Sequence, residues 1–226
     1  MTIELQNHVN GRLIVPFGHF GESDDQTLVT VIEDFLSAED LSVAYEYAKV
    51  ADMSYEGGSN GNLRDRVHTF EKFENDNPTL FNLLKGTYCV EIKSLLEEKY
   101  GLELTGSYCT ELHKPLSESR EDRLEHLILS STCGCRSEIN PFITAWTEGT
   151  SQKEHTDNSN EFTAIIYLND NYEGGELNFP DLDLSIKPIK GSVILWPGSI
   201  THSISTVVSG TRYTVPVFFK AISVLP

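Results

Sequence analysis

The sequence predicts a mostly β fold, a sandwich, jelly roll or barrel, with helices packed on one face. Two patterns carry this expectation. From Ile139 to the end, about eight short apolar runs alternate with Asn, Gly, Asp and Pro turns, the density of strands that such architectures show. Before Gly101 two stretches instead carry apolar residues at helical spacing. There is no internal repeat and no low-complexity segment. A length of 226 residues suits one domain, here 1–101 as an N-terminal strand with supporting helices and 102–226 as the β core.

In chain order, Leu28 to Phe35 is rich in β-branched residues and reads as a strand. Ser37-Ala38-Glu39-Asp40 then has the form of a capping box, and Leu41, Ala44, Tyr45 and Ala48 follow on one helical stripe. Tyr55 to Arg66, with Gly57, Gly58 and Gly61, reads as a loop; Arg64 and Arg66 in it are solvated charges or substrate contacts. Asn77-Pro78 opens a second helix with Leu80, Leu83, Leu84, Tyr88, Ile92, Leu95 and Leu96 on its apolar side, and Gly101 ends it. Leu102 to Leu112 is a strand candidate. Lys114 to Ser137 is polar, charged and partly helical. The later strands are expected at Phe142 to Trp146, Phe162 to Leu168, Glu176 to Phe179, Leu182 to Ile186, Ser192 to Trp196, Ile200 to Val207 and Arg212 to Phe219.

Composition narrows the partners. The chain holds 34 acidic against 17 basic residues, a formal charge of −17. Such a field repels phosphate backbones, so nucleic acid is not an expected partner. No stretch has the length of a membrane span, and the N-terminus lacks the basic and apolar regions of a signal peptide. The four cysteines, Cys89, Cys109, Cys133 and Cys135, are too few for a disulfide scaffold, so a reduced, cytoplasmic setting is expected. A monomer is the default expectation.

The chemistry concentrates in a few positions. His155-Thr156-Asp157 is an i, i+2 pair whose side chains share a face on an extended backbone. Alone it is a weak signal. His202 lies in a later strand, and Arg212 follows it by ten residues at the head of the next. Two imidazoles and one carboxylate on one face are the ligand set of non-haem iron(II) oxygenases. A guanidinium at Arg212 can grip a carboxylate bidentately. By strand alternation Tyr167 shares a face with Thr163 and Ile165, and Arg212 shares one with Thr214 and Phe218. Tyr167 and Arg212 would then line a carboxylate pocket walled by Phe218.

These residues, with Tyr167-Leu168-Asn169, Glu173-Gly174-Gly175-Glu176-Leu177-Asn178-Phe179-Pro180, Pro188, Gly191 and Gly210-Thr211-Arg212-Tyr213, resemble the prolyl 4-hydroxylase family of Fe(II)/2-oxoglutarate-dependent dioxygenases. The resemblance spans Phe142 to Phe219 closely and Val31 to Leu36 more weakly. It implies a double-stranded β-helix with iron on His155, Asp157 and His202. It also implies 2-oxoglutarate held by Arg212 and Tyr167, and ascorbate as an accessory reductant. Trp146 stands where many relatives carry a Tyr beside the co-substrate, so there it would wall the pocket. The implied reaction joins molecular oxygen, 2-oxoglutarate and a Pro-containing peptide or protein, and yields succinate, carbon dioxide and a hydroxylated residue. The carboxylate of Asp157, which halogenating relatives lack, favours hydroxylation. The segment 114–137 is expected to act as a substrate lid, as the corresponding loop does in relatives.

Other readings stay open. The same chemistry could serve peptidyl lysine or a small molecule. A non-catalytic jelly-roll binding module would have no use for all four of His155, Asp157, His202 and Arg212. Cys109, His113, Cys133 and Cys135 are either free side chains or a second metal site, although Cys133-Gly134-Cys135 is tighter than usual zinc spacings.

Overall fold

The computed structural model describes residues 8–9, 12–16, 27–53, 66–106, 108–109, 137–157 and 160–224. The chain enters as β1 (His8–Val9), β2 (Arg12–Pro16) and β3 (Thr27–Ile32), paired in antiparallel order. Helix α1 (Ala38–Val50) starts where expected: Ser37 Oγ accepts from the Asp40 amide at 3.1 Å and satisfies an otherwise orphaned first-turn donor. After β4 (Arg66–His68) and the short α2 (Phe70–Asp76), Asn77 caps α3 (Pro78–Leu83). That helix widens into a π turn at Leu84–Cys89 and continues as α4 (Val90–Tyr100), closed by Gly101 at φ 63°. The second helix of the sequence reading is therefore one apolar stripe interrupted by the π turn, with α2 as an addition.

The β core follows: β5 (Leu102–Gly106), β6 (Tyr108–Cys109), β7 (Ser137–Glu138), β8 (Ile143–Thr147) and β9 (Gln152–His155). Then come β10 (Phe162–Tyr167), β11 (Glu173–Gly174), β12 (Leu177–Phe179), β13 (Leu184–Ile186) and β14 (Val193–Pro197). The last are β15 (His202–Ile204), β16 (Val207–Ser209) and β17 (Thr211–Val224). Among the described residues the larger sheet runs β1-β2-β3-β14-β10-β17-β8-β4, with β5 paired to the far half of β17. A four-stranded sheet, β13-β12-β15-β9, faces it. Two facing antiparallel sheets with helices outside one of them form the expected double-stranded β-helix.

Several elements differ from the sequence reading: for example, the strand expected over Leu28 to Phe35 ends at Ile32. Ile200 to Val207 was one expected strand and is two, because Ser205 turns away: its amide donates to Glu176 O. Arg66 belongs to β4, paired with β8, instead of a loop. Leu182 belongs to a 3₁₀ turn before β13. Residues 107 and 110–136, which include His113, Cys133 and Cys135, lie outside the described residues, as does Arg64; so does the expected lid except for Ser137, in β7.

Alternation along the strands of the larger sheet builds two cores. In β10, Phe162, Ala164 and Ile166 pack toward α1–α4, whereas Ile165 and Tyr167 pack toward the smaller sheet. In β14, Val193 and Leu195 face the helices while Ile194 and Trp196 face inward. In β17, Val215, Val217 and Phe219 join the helix-side core, and Arg212, Thr214, Pro216 and Phe218 line a cleft between the sheets. The helix-side core is the larger of the two, and each fully buried Leu, Ile or Phe contributes about 1.5–3 kcal/mol. The inner layer can thus carry polar side chains at one end.

Candidate metal centre and cleft

His155 closes β9, and His202 opens β15, its antiparallel neighbour, directly opposite it. Their rings lie 4.2 Å apart between centroids. Asp157 follows β9 and is held by its backbone amide, which donates to Gly198 O at 2.7 Å. Gly198 is required there, because a Cβ would lie 2.2 Å from Asn160 O and 2.7 Å from Asp157 O. Asp157 Oδ1 is 3.7 Å from His155 Nε2 and Oδ2 is 3.5 Å from His202 Nε2. The three ligand atoms all lie within 4.8 Å of one another.

The hydrogen bonds behind the rings fix what each imidazole presents. His155 Nδ1 lies 2.9 Å from Lys153 O and His202 Nδ1 lies 2.9 Å from Ile200 O. A carbonyl only accepts, so each Nδ1 carries the proton and each Nε2 turns a lone pair inward. Burial pushes the His202 pKa down, favouring the neutral ligand form. Thr163 Oγ1 donates to Asp157 Oδ2 at 2.7 Å and orients the carboxylate. Two aimed imidazole lone pairs and an oriented carboxylate are the donor set that suits a divalent first-row metal such as iron(II).

The cleft continues from this cluster to Arg212. Its lining includes Trp146, Gln152, Thr163, Trp196, Thr214 and Phe218, and it holds about 510 Å³ of space, open solvent at the mouth included. Arg212 is fully buried. Its Nη2 donates to Tyr167 Oη at 3.1 Å, and its guanidinium sits 4.9 Å from the Tyr167 ring centroid and 6.0 Å from that of Trp146. Nε and Nη1 have no hydrogen-bond partner, and no carboxylate pairs with Arg212 among the described residues. A buried cation without a counter-ion is costly. An incoming carboxylate would remove that cost, so Arg212 fits the far carboxylate of a 2-oxo diacid. Burial pushes the phenol of Tyr167 up, which keeps it a neutral hydroxyl beside the guanidinium.

The structure thus brings His155, Asp157, His202, Arg212, Trp146, Thr163 and Phe218 into one cleft, whereas Tyr167 is fully buried behind it and reaches the site through its hydrogen bond with Arg212. Phe218 stacks on Phe142, centroids 6.1 Å apart, and forms the apolar wall. Two further lining residues touch the candidate metal cluster. Trp196 is buried, meets His202 edge-on at 5.0 Å and leaves its indole N–H without a partner. Gln152 escaped because alternation from His155 places it on the outer face. β9 makes three steps, Gln152 to His155, while β15 makes two, Ile204 to His202. This bulge turns Gln152 inward, and no local sequence signal announces it.

Residues 142–220 match the family model of the 2OG-Fe(II) oxygenase superfamily. A PKHD-type hydroxylase from Crocosphaera subtropica is 43% identical over 56 residues, which are 24% of this chain and 25% of that protein. Human prolyl 3-hydroxylase 2 is 29% identical over 109 residues, 45% of this chain and 14% of that protein. The matched segments are thus a quarter or less of these curated relatives. Among solved structures, a 2OG-Fe(II) family oxidoreductase from Burkholderia pseudomallei superposes with a TM-score of 0.60 at 15% identity, covering 88% of this chain and 87% of that one. The similarity to the 2OG-Fe(II) oxygenase superfamily thus lies in residues 142–220. No helix among the described residues is long and apolar enough to cross a membrane.

Proposed function

We propose that this protein is an Fe(II)- and 2-oxoglutarate-dependent oxygenase that hydroxylates a prolyl residue in a peptide or protein. The observation that carries the reading is the shared cleft: a His155–Asp157–His202 cluster at one end and, at the other, a buried Arg212 guanidinium whose Nε and Nη1 have no partner. His155, Asp157 and His202 would hold the iron, and Arg212 with Tyr167 the far carboxylate of 2-oxoglutarate. When bound, iron and 2-oxoglutarate together supply oxygen activation, with succinate and carbon dioxide as by-products.

The chain's own residues do the rest. His155, Asp157 and His202 supply three ligand atoms, which would leave room for further ligands on a bound metal. Thr163 fixes the carboxylate, and the two backbone carbonyls fix the imidazole tautomers. Phe142, Pro216 and Phe218 form an apolar wall suited to an alkyl or pyrrolidine ring. The proline preference draws support from the prolyl 3-hydroxylase among the relatives and from the motif resemblance over Phe142 to Phe219.

Anaerobic addition of Fe(II) and 2-oxoglutarate should produce a weak visible charge-transfer band, absent in Arg212→Met. With oxygen and a panel of Pro- and Lys-containing peptides, a Pro peptide should gain the mass of one oxygen atom with matching succinate. A mass gain confined to Lys peptides would redirect the substrate. Failure of wild type to bind metal or 2-oxoglutarate would refute the enzyme reading.

A further inference from the structure

Gln152 is 7% exposed and lines the cleft. It is the one carboxamide side chain among the described lining residues. The β9 bulge aims it at the cluster, where its Nε2 lies 3.0 Å from His155 Nε2. The proton on His155 Nδ1 settles the polarity of this contact. Nε2 of the ring is a lone pair, so the amide N–H of Gln152 donates to it.

That lone pair serves one partner at a time. A metal on His155 Nε2 and the Gln152 hydrogen bond are mutually exclusive. A metal binding alone therefore breaks a hydrogen bond and leaves a buried amide N–H without an acceptor. Of the Asp157 carboxylate oxygens, Oδ2 already accepts from Thr163, and Oδ1, 3.7 Å from His155 Nε2, would be the oxygen that the metal takes. A 2-oxo acid entering between the cluster and Arg212 carries oxygen acceptors into the same space.

We infer that Gln152 is a positioning residue that exchanges His155 for an oxygen of the incoming ligand, and thereby makes metal and 2-oxoglutarate bind cooperatively. This rests on the function proposed above. The energetic coupling needs no distant conformational change, only the transfer of one N–H between two acceptors.

The test measures binding instead of turnover. Redox-inactive Mn(II) is titrated into wild type, Gln152→Met and Gln152→Glu by calorimetry, with and without 2-oxoglutarate. Thermal unfolding of each variant checks that it is folded. Gln152→Met should bind Mn(II) alone about 2- to 10-fold more tightly than wild type, the net worth of one neutral hydrogen bond. The extra tightening that 2-oxoglutarate gives should shrink by the same factor. Gln152→Glu, with no donor and an added carboxylate, should also bind Mn(II) more tightly and lose that tightening. Equal ratios in all three proteins would overturn the inference while leaving the oxygenase reading intact. Wild type that binds neither ligand would sink both.

Discussion

Thr163 shows how a single hydroxyl can act on a metal it does not touch. Its 2.7 Å donation to Asp157 Oδ2 fixes the carboxylate plane and leaves Oδ1 turned to His155. Thr163→Val keeps the shape and removes the donor. Its Mn(II) affinity should fall about 10-fold, in line with the loss of an outer-shell partner, while the thermal midpoint stays close to that of wild type. Unchanged affinity in a metal titration would rule the role out. Positions such as His155, Asp157, Tyr167 and Arg212 were legible because period-two alternation states their face directly. What alternation cannot state is a side chain's partner. Alternation puts Thr163 on the face of Tyr167, and the structure gives its hydroxyl to Asp157. Gln152 was invisible because a bulge inverts the parity of its strand.

At the scale of elements, the loop from Pro197 to Thr201 is the bracket of the cluster. Gly198 donates its amide to Glu161 O and accepts from the Asp157 amide, so one residue ties the end of β9 to the start of β10. Gly198→Ala would drive a methyl into the Asn160 and Asp157 carbonyls. Backbone must shift to relieve that, at a cost of about 1–3 kcal/mol. Urea unfolding should show the loss, and Mn(II) binding should weaken in the same variant because Asp157 moves; a variant as stable and as tight as wild type would contradict the assignment. Element types were readable wherever a run was long and its pattern single, as in α1 with its Ser37 cap or β10 with its apolar faces. Boundaries failed where tertiary pairing decides. β4 exists because β8 offers it an edge, and the break between β15 and β16 follows from the Ser205 contact to Glu176. The π turn at Leu84–Cys89 leaves the apolar stripe intact, so periodicity alone reads one helix.

For the whole molecule, the helix layer is locked to the sheet by a buried imidazole. His68, on β4, receives the Tyr47 hydroxyl at Nε2 over 2.8 Å, and its Nδ1 lies 3.3 Å from Asp52 O. Burial holds its pKa below the ordinary value. The unfolded chain, with a free histidine near 6.5, therefore binds a proton at a higher pH than the folded one. Stability contributed by neutral His68 is complete above about pH 6.5 and declines as pH falls through that value toward the folded pKa. His68→Gln keeps an acceptor for Tyr47 and removes the titration. Its unfolding free energy should fall less steeply between pH 7 and pH 5 than that of wild type; parallel slopes would exclude the link. The two sheets also differ in how firmly they are built. β17 runs for 14 residues and pairs with β10, β8 and β5, whereas the smaller sheet is made of strands of three or four residues. Arg212 stands on the first and both histidines on the second. A ligand that joins the cluster to Arg212 is therefore a cross-brace between a stiff wall and a pliant one. Its arrival should slow amide exchange mainly in β9, β12, β13 and β15, where the native state opens most readily, and leave β17 almost untouched.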